Sequence, residues 1–83
     1  MNSYYFTFRS VTQAQNAVFI LKRYGIDGVL VTDPTALTQR GCGYAVQVKS
    51  RDGYRSAAIL REEGIHYIKA YKVNAFGLEE AML

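Results

Sequence analysis

The chain is poor in the residues that most small reactive proteins depend on. It has one cysteine, one histidine, one proline and no tryptophan. One Cys cannot form an internal disulfide, which suits a reducing compartment and leaves a free thiol. Cys42 and His66 alone cannot provide the several ligands a metal site needs, so neither a metal nor a cofactor is expected. No apolar run approaches the roughly 20 residues of a membrane span. The start of the sequence, Asn2 and Ser3 followed by aromatic residues, has no basic segment leading into an apolar stretch. No signal peptide and a cytoplasmic location are therefore expected. Neither a phosphate-cradling glycine loop nor a dinucleotide fingerprint is present. A net charge of +3 is too small, without a concentrated patch, to mark a nucleic-acid partner.

Within these limits, 83 residues with a hydrophobic fraction of 49% make one folded domain with a thin core. That leaves no room for a deep cleft with its own supporting shell, so a carrier, binder or subunit is expected rather than an enzyme. Glu62-Glu63 and Glu79-Glu80 are adjacent pairs whose side chains point apart, and they read as solvated surface.

An internal repeat sets the fold. Residues 4–10 (YYFTFRS) match residues 44–50 (YAVQVKS) at an offset of 40, each an alternating aromatic-led run ending in a basic residue and Ser. Such runs are strands. After the first, Ser10 and Gln13 form a capping box, and Ala14, Ala17, Val18 and Leu21 recur at helical spacing. The second helix is expected to be capped by Ser50 or Asp52 and to bury Tyr54, Ala57, Ala58, Leu60 and part of Ile59. The helices end alike in Ile-Leu-basic and then Gly-Ile, with Gly25 and Gly64 at an offset of 39 as left-handed stops. Further strands follow at residues 28–32 and 67–73.

Two strand-helix-strand units joined by a loop over residues 33–43 predict an α+β, ferredoxin-like βαββαβ sandwich. Its four-stranded antiparallel sheet is expected in the order 4-1-3-2, with two helices on one face, over residues 1–73. Residues 74–83 form a C-terminal tail, either a short helix or a loose end. Alternation points Phe6, Phe8, Val29, Val31, Val46, Val48, Ile68 and Ala70 toward the helices. Tyr5, Thr7, Arg9, Leu30, Thr32, Gln47, Lys49, Tyr67, Lys69 and Tyr71 then line the open face. A second copy of the chain, in a homodimer, or the tail is expected to cover that tyrosine-rich face.

The candidate site is Arg40-Gly41-Cys42-Gly43, a thiol between two glycines just before a strand. Gly41 and Gly43 let the backbone bend, bare its amides and admit a bulky partner, while Arg40 adds positive charge. Both features lower a thiol pKa and raise its thiolate fraction. The competing reading makes the glycines a bulge or turn and Cys42 a small half-buried hydrophobe. His66, at the entry to the last strand, reads as a surface or strand-edge residue.

In layout the chain resembles the small bacterial selenium/sulfur carrier-like proteins. The resemblance runs from about Tyr4 to Lys72 and includes the Tyr-Tyr-Phe-Thr-Phe opening strand and Cys42-Gly43 followed by the apolar strand Tyr44-Ala45-Val46. One departure is that Arg40-Gly41 stand where small hydroxyl residues are expected. The resemblance implies that Cys42 carries a persulfide or selenopersulfide between donor and acceptor proteins.

Two other classes compete. Arg40-Gly41-Cys42-Gly43-Tyr44 matches the basic-Gly-aromatic-Gly-aromatic run of RNA-recognition domains at four of five positions, but Cys42 stands where a base-stacking ring is needed. That register would also put Gln47 in the core and Val46 on the exposed sheet. The third reading is a non-catalytic interaction or regulatory module that uses the open sheet face, with Cys42 incidental.

Overall fold

Aromatic-led alternation becomes strand in both halves of the repeat. In the computed structural model, which describes residues 3–32, 43–74 and 76–83, β1 (Ser3–Phe8) and β3 (Tyr44–Lys49) lie side by side and antiparallel. Phe6 stands opposite Val46 and Phe8 opposite Tyr44. Around this pair come α1 (Val11–Arg23), β2 (Val29–Thr32), a 3-10 turn at Ser50–Asp52, α2 (Gly53–Glu62), β4 (Ala70–Asn74) and β5 (Gly77–Ala81). The antiparallel sheet runs β2-β3-β1-β4-β5. It therefore has five strands rather than the expected four, because the tail folds back on β4 as β5, pairing Val73 with Leu78. No helix among the described residues is long and apolar enough to cross a membrane.

Ser10 caps α1 as its sequence requires, its Oγ accepting the Gln13 N–H at 3.1 Å. The second cap differs from expectation. Ser50 and Asp52 are spent in the 3-10 turn, and Asp52, at the helix boundary, makes no side-chain cap.

Both helices close in the same motif. Gly25 (φ +83°) and Gly64 (φ +75°) turn left-handed, which costs a glycine least. The Gly25 N–H then reaches the Lys22 carbonyl and the Ile26 N–H the Leu21 carbonyl, while Gly64 reaches Arg61 and Ile65 reaches Leu60. The two equivalent C-cap residues also meet, with the Tyr24 hydroxyl donating to Glu63 Oε2 at 2.7 Å. Arg55 donates to the Tyr24 carbonyl at 3.0 Å.

The Glu63 hydrogen bond, and then its charge, hold the Tyr24 pKa above the ordinary 10.0, since a phenolate there would face a carboxylate. A raised folded-state pKa favours the protonated phenol. Its contribution to stability is therefore complete below pH 10 and fades as pH rises through the folded value. Glu63→Gln is expected to bring the Tyr24 titration back toward 10, read from its ring carbon shift by NMR. An unchanged midpoint would remove Glu63 as the cause.

The core lies between the sheet and the two helices. Phe6, Phe8, Leu21, Val46, Val48 and Leu60 are buried there with Ala14, Ala17 and Ala57, and Val18 is half-buried against them. On α2, Ser56 and Ile59 are buried, whereas Tyr54 and Ala58, expected in the core, are exposed. Tyr54 instead leans its ring on Tyr4, centroids 6.2 Å apart.

Two strands depart from the expected alternation. In β2 the helix-facing residues are Leu30 and Thr32, opposite Val46 and Tyr44, while Val29 and Val31 face away. Ile26 sets this phase, because it is fully buried just after α1 and the even positions that follow, Gly28 and Leu30, share its side. Before β4 an extra residue intervenes. Both the Ile68 N–H and the Thr7 N–H bond across Thr7, to the Thr7 and Lys69 carbonyls respectively, while the Lys69 N–H turns to the Thr7 hydroxyl. This is a β-bulge, and it shifts side-chain phase by one. Ile68, expected in the core, is accordingly 39% exposed, and Tyr67, expected outside, packs edge-on against Phe6 with centroids 4.9 Å apart.

On the opposite face Ala45 and Tyr71 form a second, smaller apolar cluster with Tyr5, Val31 and Leu78. The tail thus contributes Leu78 to the face that either it or a second copy was expected to cover.

Candidate functional site

Of the four site residues named from the sequence, Arg40, Gly41 and Cys42 lie outside the described residues, as does most of the connection that carries them. Gly43 is described, and it joins Cys42 by one peptide bond to the first residue of β3. It is exposed, and among the described residues no atom beyond its chain neighbours lies within 4 Å of where a Cβ would stand. The fold itself therefore does not demand glycine at this position. Gly43→Ala is expected to leave the melting temperature within about 4 °C of wild type, because surface changes rarely exceed ~0.5 kcal/mol. If the glycine serves the approach of a partner, the same variant slows thiol exchange. A stopped-flow rate with a disulfide reagent separates the two effects, and a large loss of stability would show that Gly43 is structural.

Strand register defines what stands at this end of the sheet. Tyr44 lies between Phe8 of β1 and Thr32 of β2. Beyond Phe8 come exposed Arg9, the cap Ser10 and the first turn of α1, which has no acidic residue. The unpaired amides of a helix start give it positive character, and Arg9 adds a full charge. Arg9 and the α1 N-terminus were not part of the sequence-based site. The signal was present in the repeat, since strands whose starts and ends are matched bring the β1–α1 junction beside the beginning of β3. Lys69 and Glu80 also sit toward this end and neutralise each other across 3.5 Å.

His66 is exposed and shares a shallow depression with Gln13 and Asn16 of α1. Among the described residues no group of three or more His, Cys, Asp or Glu could hold a metal ion. The RNA-recognition register conflicts with β3, where Val46 is fully buried and Gln47 lies on the open face, donating to Ser3 Oγ at 3.0 Å.

A cleft of about 510 Å³ lies at the other end of the sheet, on the open face beside β2 and β3. Its walls include Ser3, Val29, Gln47 and Lys49. Residue 49 stands five positions along β3 from Tyr44, so the cleft lies at the opposite end of β3 from Gly43.

No curated protein and no solved structure matches the chain. A family model does match, over residues 3–72, and so includes the repeat, Cys42 and β1 through most of β4. By that match the chain belongs to the family described as putative Se/S carrier protein-like.

Proposed function

We propose that the protein carries sulfur or selenium covalently on Cys42, as a persulfide or selenopersulfide, between donor and acceptor proteins, without catalysing a complete reaction alone. The observation that carries this reading is the family match across residues 3–72 of a chain in which Cys42 is the sole thiol.

The transfer is a substitution at sulfur. The Cys42 thiolate attacks the terminal sulfur of a donor persulfide, the new S–S bond forms as the donor's S–S bond breaks, and the donor leaves as a thiolate. The transferred sulfur keeps its proton, so neither an oxidant nor a reductant is consumed. Unloading repeats the step with an acceptor thiolate, or another nucleophile, attacking the terminal sulfur.

Three features support the role. The positive start of α1 and Arg9 favour a thiolate at that end of the sheet. The open space around Gly43 suits the approach of a second protein's sulfur. The chain has no second Cys to resolve the persulfide as an internal disulfide, so the loaded form lasts until an acceptor arrives.

The test incubates the protein with a persulfide-loaded cysteine desulfurase and follows the intact mass. Wild type is expected to gain one sulfur, removable by a thiol reductant, and Cys42→Ser to gain none. Equal uptake by both, or by neither, would end the carrier reading.

A further inference from the structure

The internal repeat singles out one exposed ring that the fold does not need. Phe19 of α1 is 64% exposed. It lies on the side of the helix opposite buried Ala14, Ala17 and Leu21, in a stripe with Thr12, Asn16 and Arg23 at helical spacing, all of them exposed. At the offset of 39 that relates the two helix ends, Phe19 corresponds to Ala58, which is likewise exposed on α2. A methyl group therefore suffices at this place in the sister helix.

The setting of Phe19 has the composition of a contact surface. Residues 11–21 include no charged side chain, so the ring stands among Thr12, Gln15 and Asn16, whereas the exposed side of α2 carries Arg55, Arg61 and Glu62. An aromatic residue in an uncharged patch with charge kept to the rim is the usual layout of a protein–protein interface.

The rim specifies the partner's charge. Arg9 precedes α1 and Lys22 and Arg23 end it, all exposed, while residues 1–26 contain no Asp or Glu. None of these cations makes an ion pair with a described residue. Glu62 and Glu63 approach this end of α1, but Glu63 is engaged by the Tyr24 hydroxyl. A second copy of α1 would set like charges against the rim, so the face suits a different protein with an apolar recess flanked by carboxylates. Cations confined to the two ends of an uncharged face also lack the continuous basic track that a nucleic-acid backbone follows.

α1 begins at the thiol end, and Phe19 lies about 12 Å along it. A protein that covers the helix from Phe19 to its start therefore meets the end at which β3 begins. We propose that α1 is the docking face for the protein that loads Cys42, with Phe19 entering an apolar recess of that donor and Arg9, Lys22 and Arg23 facing its carboxylates. The choice of partner rests on the carrier reading.

Calorimetric titration of Cys42→Ser with a cysteine desulfurase measures docking without transfer, and NMR of the isotope-labelled chain maps it. Binding that weakens with salt is expected, with amide shifts along α1. In the same background Phe19→Ala weakens binding at least about tenfold, while the melting temperature does not fall, because Ala58 occupies the equivalent position and alanine favours helix. Lys22→Glu combined with Arg23→Glu weakens binding at low salt and removes most of its salt dependence. With Cys42 present, Phe19→Ala slows loading by the desulfurase but not by glutathione persulfide, a small donor that needs no docking face. Docking without any loading would end the carrier reading and leave the docking face standing. No binding of the desulfurase, shifts confined to another surface, wild-type loading by the desulfurase in Phe19→Ala, or a single-stranded oligonucleotide bound more tightly than the protein would each overturn the proposal.

Discussion

Gly53→Ala is expected to destabilise the protein by about 1–3 kcal/mol, the usual penalty for forcing a methyl into a filled core. For a domain of this size that lowers the melting temperature by about 4–8 °C per kcal/mol. The sign is the informative part. Gly53 opens α2 with φ −60° and ψ −56°, an ordinary helical conformation in which Ala is normally better by roughly 0.5–1 kcal/mol. Its backbone does not require glycine, but its surroundings do, since a Cβ would run into the Tyr4 ring, reaching even Cγ at 2.8 Å. Tyr4 is buried in β1 and cannot swing into solvent. In a Tyr4→Ala background the Gly53→Ala penalty is therefore expected to vanish or reverse, a coupling that chemical denaturation measures directly. A stabilising Gly53→Ala in the wild-type background would mean that α2 does not press on Tyr4 in this way.

Cys42→Ser has the largest functional effect expected, complete loss of sulfur loading with the fold retained. Serine keeps the size of the side chain but is no nucleophile toward a persulfide at neutral pH. Arg9→Gln is expected to slow loading by a few fold without abolishing it, because one exposed charge near a thiol shifts its reactivity modestly and is screened by salt. Loading rates measured at low and high ionic strength by quenched-flow mass analysis check both statements. If Arg9→Gln matches wild type at low salt, the charge at the β1–α1 junction does not act on the thiol.

Much of this architecture was legible because the chain states it twice. Tyr4 to Ser10 and Tyr44 to Ser50 appear as neighbouring antiparallel strands, and Gly25 and Gly64 end their helices with the same pair of hydrogen bonds. What escaped has identifiable causes. Val29-Leu30-Val31 is apolar at both phases, so alternation alone could not orient β2; buried Ile26, outside the strand, does that. The bulge at Ile68–Lys69 depends on the Thr7 side chain, 62 positions earlier, supplying a hydrogen bond that no local pattern announces. β5 reads Gly-Leu-Glu-Glu-Ala, composition closer to helix than to strand, and becomes a strand because the β4 edge offers it a ladder. For the site, the sequence singled out the thiol and its glycines. It did not place Arg9 and the α1 start at the same end, since that juxtaposition comes from the pairing of β1 with β3.

The central claim is that Cys42 holds transferable sulfur or selenium. Its most direct test is the intact mass of the protein purified from its own cells without reductant, before and after treatment with a thiol. The account predicts a fraction heavier by one sulfur or one selenium, mapped by peptide analysis to Cys42 and lost on reduction. A Cys42 thiol that is always unmodified, and that gains nothing from a persulfide donor when natively folded, would contradict it.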